Sequence, residues 1–308
     1  MTTTIKAAAA QLAPVFMDRE RTVAKACSVI AEAARAGAEL VAFPEAFIPG
    51  YPYFALVLPP TKINPFMRTL YAQAVEIPSP ATDALCAAAK QAGVYVVMGL
   101  HEREGGTLYN SQLFLGPDGS ILGRRRKLVP TSHERLVWGR GDGSDLVLFD
   151  TKLGKLGGLI CYEHANALFR YALQGRGEQL HVANWPGGIP SMNRIIDAAV
   201  RHYAFEAGCF VISVTGVLTQ AALAELPAEV RDELEPGGGC STIIAPRGDY
   251  LAGPMEEGEG LLYADLDFGL IDRIKSIVDT AGHYARPDVV RLVLDPTRRK
   301  PVEIDDAG

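Results

Sequence analysis

The chain has 308 residues, 48% of them hydrophobic and 21% charged, with 31 Gly and 20 Pro, a composition that excludes disordered, collagen-like and coiled-coil proteins. Lys and Arg total 30 against 36 Asp and Glu, a net charge of −6, so no basic footprint draws the chain to nucleic acid or anionic lipid. A small-molecule partner is the better expectation. The 5 cysteines (Cys27, Cys86, Cys161, Cys209 and Cys240) are odd in number and lack CxxC spacing, which argues against a disulfide framework or structural zinc and leaves at least one thiol free.

The start, MTTTIKAAAAQLAP, has too short an apolar stretch for a signal peptide, and Lys6 lies inside it. No run approaches the roughly 18 apolar residues of a membrane span, so a cytoplasmic location without membrane contact is expected. Length alone suggests about two domains. Short apolar runs nevertheless alternate with helical patterns almost to the end, the signature of α/β packing, and no linker interrupts them.

Residues 5–12 read as a buried first strand stopped by Pro14. From Asp18 to Ala36, Val23, Cys27, Ile30 and Ala34 share one helical face, and Gly37 follows as a stop. A strand at 40–43 runs into Pro44 and Glu45, then into AFIPGYPYFALVLPP, which is too irregular for an element and reads as a loop. Ser79 and Pro80 open a helix with Leu85, Ala88, Ala89 and Ala92 inward and Gly93 after its end. A strand at 94–99 follows. Strands at 109–115 and 121–126 flank Pro117-Asp118-Gly119-Ser120, a hairpin signal. A second hairpin joins 145–150 to 155–161 through Lys152 to Gly154. Helices and strands alternate to about Asp267, and from Tyr284 the chain becomes a charged tail.

Three strand ends carry unusual groups. Glu45 is a carboxylate placed directly after a buried strand, where desolvation is costly unless a cation pairs with it. Lys127 closes a strand before Pro130, although a lysine beside Arg124, Arg125 and Arg126 in isolation reads as solvated surface. Cys161 ends an apolar strand thinned by Gly157 and Gly158, and a helical pattern, Ala165 to Gln174, follows. In isolation it reads as an inert core cysteine; at a strand-to-helix corner its thiol can approach helical N–H groups that favour a thiolate. A base, a cation and a thiol together suffice for attack on a polarised carbon-nitrogen bond.

FPEAF (43–47), KLVPTSHER (127–135) and GGLICYEH (157–164) resemble the three motifs of the nitrilase, or carbon-nitrogen hydrolase, superfamily with its Glu-Lys-Cys triad. Order and spacing agree, with 82 residues from Glu45 to Lys127 and 34 from Lys127 to Cys161. The true nitrilase branch is the nearer match through FIPGYP (47–52), WGRGDGSDL (138–146), GEQLHVANWPG (177–187), GGGCSTIIAPRGDYLAGP (237–254) and GHYARPDV (282–289). Two positions depart from it: Tyr162 stands where nitrilases usually carry Trp, and Ala167-Leu168 where they usually carry Pro-Leu. The longer tail with which many bacterial nitrilases assemble is not expected here.

The resemblance implies an α/β fold, a four-layer αββα sandwich, whereas the alternation of elements alone would also suit a doubly wound sheet. It implies one hydrolase domain over residues 1–287 with a short tail at 288–308, and homodimers that can stack into spirals. The implied reaction is hydrolysis of an organic nitrile to the acid and ammonia without cofactor or metal. Glu45 is then the base, Lys127 the electrostatic clamp, Cys161 the nucleophile and Glu134 the family's additional glutamate. An amidase, a cyanide-hydrating relative and a catalytically silent homologue are the alternatives. Tyr51, Tyr53, His133, Tyr162 and Trp185 are expected to bind substrate, and their aromatic character suits an aryl or arylaliphatic nitrile, with aliphatic nitriles also open. His164 is expected to orient rather than to face the thiol. GRGDGS (139–144) lacks the GK[ST] ending of a phosphate loop and reads as a turn. Cys27, Cys86 and Cys209 are expected in the core.

Overall fold

A computed structural model of the chain describes residues 4–299 and 302. In the first half the elements are β1 (Thr4–Gln11), α1 (Arg19–Arg35), β2 (Leu40–Ala42), α2 (Tyr53–Val57), α3 (Asn64–Gln73), α4 (Pro80–Ala92), β3 (Tyr95–Glu104), β4 (Thr107–Leu115) and β5 (Ile121–Arg126). The second half holds β6 (Phe149–Thr151), β7 (Gly154–Ile160), α5 (Ala167–Gln174), β8 (Leu180–Trp185), α6 (Asn193–Ala207) and β9 (Phe210–Thr215). It continues with α7 (Gln220–Glu225), α8 (Ala228–Arg231), β10 (Ser241–Ile244), β11 (Tyr250–Met255), β12 (Gly260–Asp267) and α9 (Gly269–Lys275).

The strands form two six-stranded sheets, ordered β12-β1-β2-β3-β4-β5 and β11-β10-β9-β8-β7-β6. Each has three parallel strands, β1-β2-β3 and β7-β8-β9, flanked by antiparallel ones. Register is continuous across β1, β2 and β3, where Val41 pairs with Ala8 on one side and Val96 on the other.

Side-chain alternation builds three layers of core. Ala7 and Ala9 of β1, Leu40 and Ala42 of β2 and Val97 of β3 meet Leu180 and Val182 of β8 and Ile212 and Val214 of β9 between the sheets. The alternate residues Ala8, Ala10, Val41, Val96 and Met98 pack outward against Val23 and Ile30 of α1 and Leu85 and Ala89 of α4. On the second sheet, Leu159, Ala183 and Val211 pack outward against Leu173 of α5 and Ile196, Val200 and Tyr203 of α6. Helices thus cover one face of each sheet and the other faces meet. This is the four-layer sandwich, not a doubly wound sheet. Both faces of the parallel strands are buried, which is why they read as unbroken apolar runs.

Several expectations need correction. The stretch after Phe47 is not only loop: it contains α2, and α3 follows it, both packed around Tyr51, Tyr53 and Phe54 with α7 and α8. Proline and aromatic residues hid these short helices because their stability comes from that tertiary cluster. The strand expected at 145–150 is shorter and later, because Gly143–Asp145 is a 3-10 turn capped by Asp142. The run from Cys161 to Gln174 divides into a 3-10 turn, Cys161–Ala165, and α5, whose N-cap Asn166 accepts hydrogen bonds from Leu168 and Phe169. Cys27 and Cys86 are only half-buried, and Ala34 flanks the buried face of α1, which Val23, Ala26, Ile30 and Ala33 form; Cys209 is buried. Among the described residues no helix is long and apolar enough to cross a membrane. Beyond α9 the described residues form no helix or strand, yet Leu292 and Leu294 pack onto the α5–α6 core and the Arg299 N–H donates to Asp142. The expected tail is described only as far as residue 299 and at 302.

The segment carrying Glu45 crosses β3 at Gly99, where an added Cβ would lie 1.9 Å from the Pro44 carbonyl oxygen. Gly99→Ala is therefore expected to lower stability by about 1–3 kcal/mol in urea unfolding. An unchanged unfolding midpoint would show that the Pro44 segment yields freely.

Candidate active site

Glu45, Lys127 and Cys161 follow β2, β5 and β7 respectively, so two come from one sheet and the third from the other. Backbone hydrogen bonds extend the strands to these residues. Phe43 N–H donates to Val97 (2.9 Å), Glu45 N–H to the Trp185 carbonyl across the two sheets (3.3 Å), and Lys127 N–H to Asn110 of β4 (2.8 Å). All three side chains are buried.

The Lys127 ammonium donates to Glu45 Oε1 at 2.8 Å and to Glu134 Oε2 at 2.7 Å. Glu45 Oε1 also accepts from Asn110 Nδ2 at 2.6 Å, while Glu45 Oε2 has no partner among the described residues. Glu134 is engaged on both oxygens: Thr131 N–H donates to Oε2 at 2.6 Å and the Tyr51 hydroxyl to Oε1 at 3.0 Å. Two carboxylates and one ammonium leave a net negative charge out of water. Desolvation pushes Glu45 up to about 7, an effect that Lys127 opposes and Glu134 reinforces. For Lys127, the opposing carboxylates outweigh burial and hold its ammonium above the usual range.

Cys161 sits at φ +52°, in the left-handed region, and opens the 3-10 turn. Burial and the nearby Glu45 push its thiol well above the usual range, partly offset by Lys127 and by the backbone N–H of Tyr162. The resting group is a thiol beside a carboxylate that titrates near neutrality, an arrangement suited to proton transfer during attack.

The turn is held by a buried clamp that sequence reasoning missed. Arg125 pairs with both oxygens of Glu163 (2.7 and 2.8 Å), and Glu163 also accepts from Ile160 N–H before the thiol and Leu128 N–H after the lysine. One carboxylate thereby ties the two segments together. The basic run is not solvated surface: Arg125 and Arg126 are buried, and all three arginines pair with Glu102, Asp145 or Glu163. Asn110 was also missed; its signal was the polar stretch Asn110-Ser111-Gln112 inside an otherwise apolar, buried strand.

Tyr51 and Tyr53 line, with Glu45, Phe47 and Val217, a cavity of about 10 Å³, room for about one water. Their rings meet edge-on at 5.3 Å, and the Tyr53 hydroxyl donates to the Gly187 carbonyl at 3.1 Å. His133 Nε2 lies 2.9 Å from the Tyr51 hydroxyl oxygen, half-buried at the edge of this group. Trp185 is buried on the helix side of β8 and stacks on His164 at 4.9 Å. Tyr162 is 37% exposed. His164 hydrogen-bonds the Cys161 carbonyl, as a residue that orients the turn would. The GRGDGS segment is a turn, closed by Asp142 accepting from Ser144.

A family model described as carbon-nitrogen hydrolase matches residues 6–276. A nitrilase of Paraburkholderia phymatum is 42% identical over 97% of this chain and 88% of its own length. An aliphatic nitrilase of Rhodococcus rhodochrous is 43% identical over 98% of this chain and 85% of its own. The crystal structure of Saccharomyces cerevisiae Nit3, a member of the nitrilase superfamily, superposes with a TM-score of 0.74 at 20% identity, covering 91% of this chain and 96% of that one. The sandwich with a thiol, an ammonium and a carboxylate at its strand ends therefore has a place among known proteins: the chain belongs to the carbon-nitrogen hydrolase family.

Because Glu45 protonates above the unfolded carboxylate value of 4.5, the folded state holds the extra proton between about pH 4.5 and 7 and loses stability as pH rises through that window. Glu45→Gln removes the net buried charge and is expected to raise Tm at pH 8 with little change near pH 4. Lys127→Met, in contrast, leaves two buried carboxylates unpaired and should cost about 3–5 kcal/mol. Calorimetry of both variants checks this; a lowered Tm for Glu45→Gln at pH 8 would contradict the charge balance.

Proposed function

We propose that the chain is a nitrilase, converting an organic nitrile and two waters to the carboxylic acid and ammonia. The observation that carries this reading is the buried Glu45–Lys127–Glu134 trio beside the buried Cys161 thiol, in a chain 42% and 43% identical to the two nitrilases above over 88% and 85% of their lengths.

Glu45 takes the thiol proton as Cys161 Sγ attacks the nitrile carbon, giving a thioimidate. Lys127 and the Tyr162 N–H stabilise the charge that develops first on nitrogen and then on oxygen. Glu45 passes the thiol proton to the thioimidate nitrogen and, ionised again, deprotonates a water that adds to the thioimidate carbon; that proton and the one on the added oxygen go to nitrogen, which leaves as ammonia, and a thioester remains. A second water, activated in the same way, releases the acid and returns the thiol. Glu134 accepts from Lys127, Thr131 and Tyr51 and so holds Lys127 in place, while the remaining lone pair of Oε1 is left to help Glu45 orient the water. Tyr51 and Tyr53 wall the water-sized cavity beside Glu45, so a substrate that reaches Glu45 contacts their rings only if these move aside. The reading takes residues 1–287 as one catalytic domain and 288–308 as its tail. It includes a homodimer, supported by Leu168, Ile195 and Phe205, large apolar side chains exposed on α5 and α6. Phe205→Glu should then lower the sedimentation coefficient, and an unaltered assembly would exclude this face.

Ammonia and acid release from aryl, arylaliphatic and aliphatic nitriles, beside the matching amides, tests the reaction. Turnover of nitriles that vanishes in Cys161→Ala is expected; ammonia from amides alone would overturn the assignment. The base must be ionised to accept a proton, so kcat/KM should fall as pH drops through about 7, the value to which burial raises Glu45.

A further inference from the structure

His164, His181, Glu178 and Tyr203 are buried together on the helix side of the second sheet, and the reaction described above uses none of them. They form an unbroken hydrogen-bonded series that begins on the nucleophile's own backbone. His164 Nδ1 lies 2.7 Å from the Cys161 carbonyl oxygen, His164 Nε2 lies 2.9 Å from His181 Nε2, and His181 Nδ1 lies 2.9 Å from Glu178 Oε1. The Tyr203 hydroxyl donates to Glu178 Oε2, and its ring stacks on His181 with centroids 3.8 Å apart. Trp185 covers the other ring, His164.

Acceptor chemistry dictates where the protons sit. A carbonyl oxygen can only accept, so His164 carries a proton on Nδ1. Burial, reinforced by His181, keeps His164 neutral. Its Nε2 is therefore an acceptor, and His181 must donate from Nε2. One proton then remains between His181 Nδ1 and Glu178 Oε1. Whether it resides on the ring or on the carboxyl, the direction of every other bond in the series is unchanged.

The strained backbone of Cys161, at φ +52°, persists only where its surroundings over-determine it. The Glu163 clamp fixes the Ile160 N–H before Cys161 and the Leu128 N–H after Lys127, but the carbonyl of Cys161 itself is held by His164. We propose that His164 and His181 are positioning residues of the reaction. His164 locks the turn that sets the thiol against Glu45, Lys127 and the Tyr162 N–H, and His181 with Glu178 fixes the tautomer and ring orientation of His164. This rests on reading Cys161 as the nucleophile.

The experiment has two arms. In the wild-type protein, ¹⁵N NMR of labelled histidines, with His164 assigned by its loss in His164→Asn, should show His164 as the Nδ1–H tautomer; an Nε2–H tautomer overturns the proposal. In nitrile turnover, His164→Phe keeps the bulk without the donor and should lower kcat by about 10²-fold with little change in KM. His164→Asn, whose side-chain N–H can reach the same carbonyl, should recover most of that loss. His181→Phe should lower kcat alone but add little in the His164→Phe background, because it acts through His164. Equal losses in His164→Asn and His164→Phe, or additive losses in the double variant, contradict the assignment. If the wild type turns over no nitrile, the nitrilase reading fails, and the tautomer still decides whether the series is arranged as described.

Discussion

Burying the Lys127 ammonium imposes the condition that the rest of the site satisfies. An unpaired ammonium taken out of water costs several kcal/mol, so Glu45 and Glu134 must stand within hydrogen-bond reach of it. Once they do, their own desolvation becomes the problem. Asn110, Thr131 and Tyr51 answer it by donating to three different lone pairs. Desolvation still outweighs the help from Lys127 and Asn110, Glu134 adds to it, and Glu45 rises toward neutrality, where a carboxylate is a competent base. Chemical capacity thus arises from burial that the cluster's hydrogen bonds and its one cation only partly offset.

The sandwich makes this tolerable because it joins the participants through rigid strands rather than through the loops themselves. Glu45 is tied by its N–H to β8 of the opposite sheet, Lys127 by its N–H to β4, and the segments around Lys127 and Cys161 share the Glu163 carboxylate. β8 serves two cores: Asn184 donates to the Phe43 carbonyl between the sheets, while Trp185 packs toward the helices with Cys161. Displacement of either layer is felt at the thiol.

How far the sequence revealed this depended on whether a feature is local. The strands before Glu45 and Cys161 were legible because parallel strands buried on both faces leave unbroken apolar runs with a conspicuous polar residue at the end, whereas the antiparallel edge strand before Lys127 was legible through its hairpin turn, Pro117 to Ser120. Family resemblance, not periodicity, decided between a sandwich and a doubly wound sheet, since both alternate strands and helices. The short helices α2 and α3 were not legible, because they are stabilised by a cluster assembled from α7 and α8, more than a hundred residues away. Arg125 and Glu163 were hidden for a related reason. A run of three arginines looks solvated until the acidic partners arrive from β3, from the Asp145 turn and from the turn after β7.

The raised thiol of Cys161 also bears on how the protein withstands oxidants. Peroxides and disulfides react with thiolates, and at neutral pH Cys161 rests as the protonated form. Cys27, Cys86, Cys209 and Cys240 are pushed upward by burial as well, so none of the five offers a standing thiolate. In the proposed reaction, nucleophilicity emerges only while Glu45 holds the proton, when a substrate carbon is there to consume it. The same desolvation that makes the cysteine a reluctant acid makes it a discriminating one, quiet toward oxidising small molecules and responsive to the substrate.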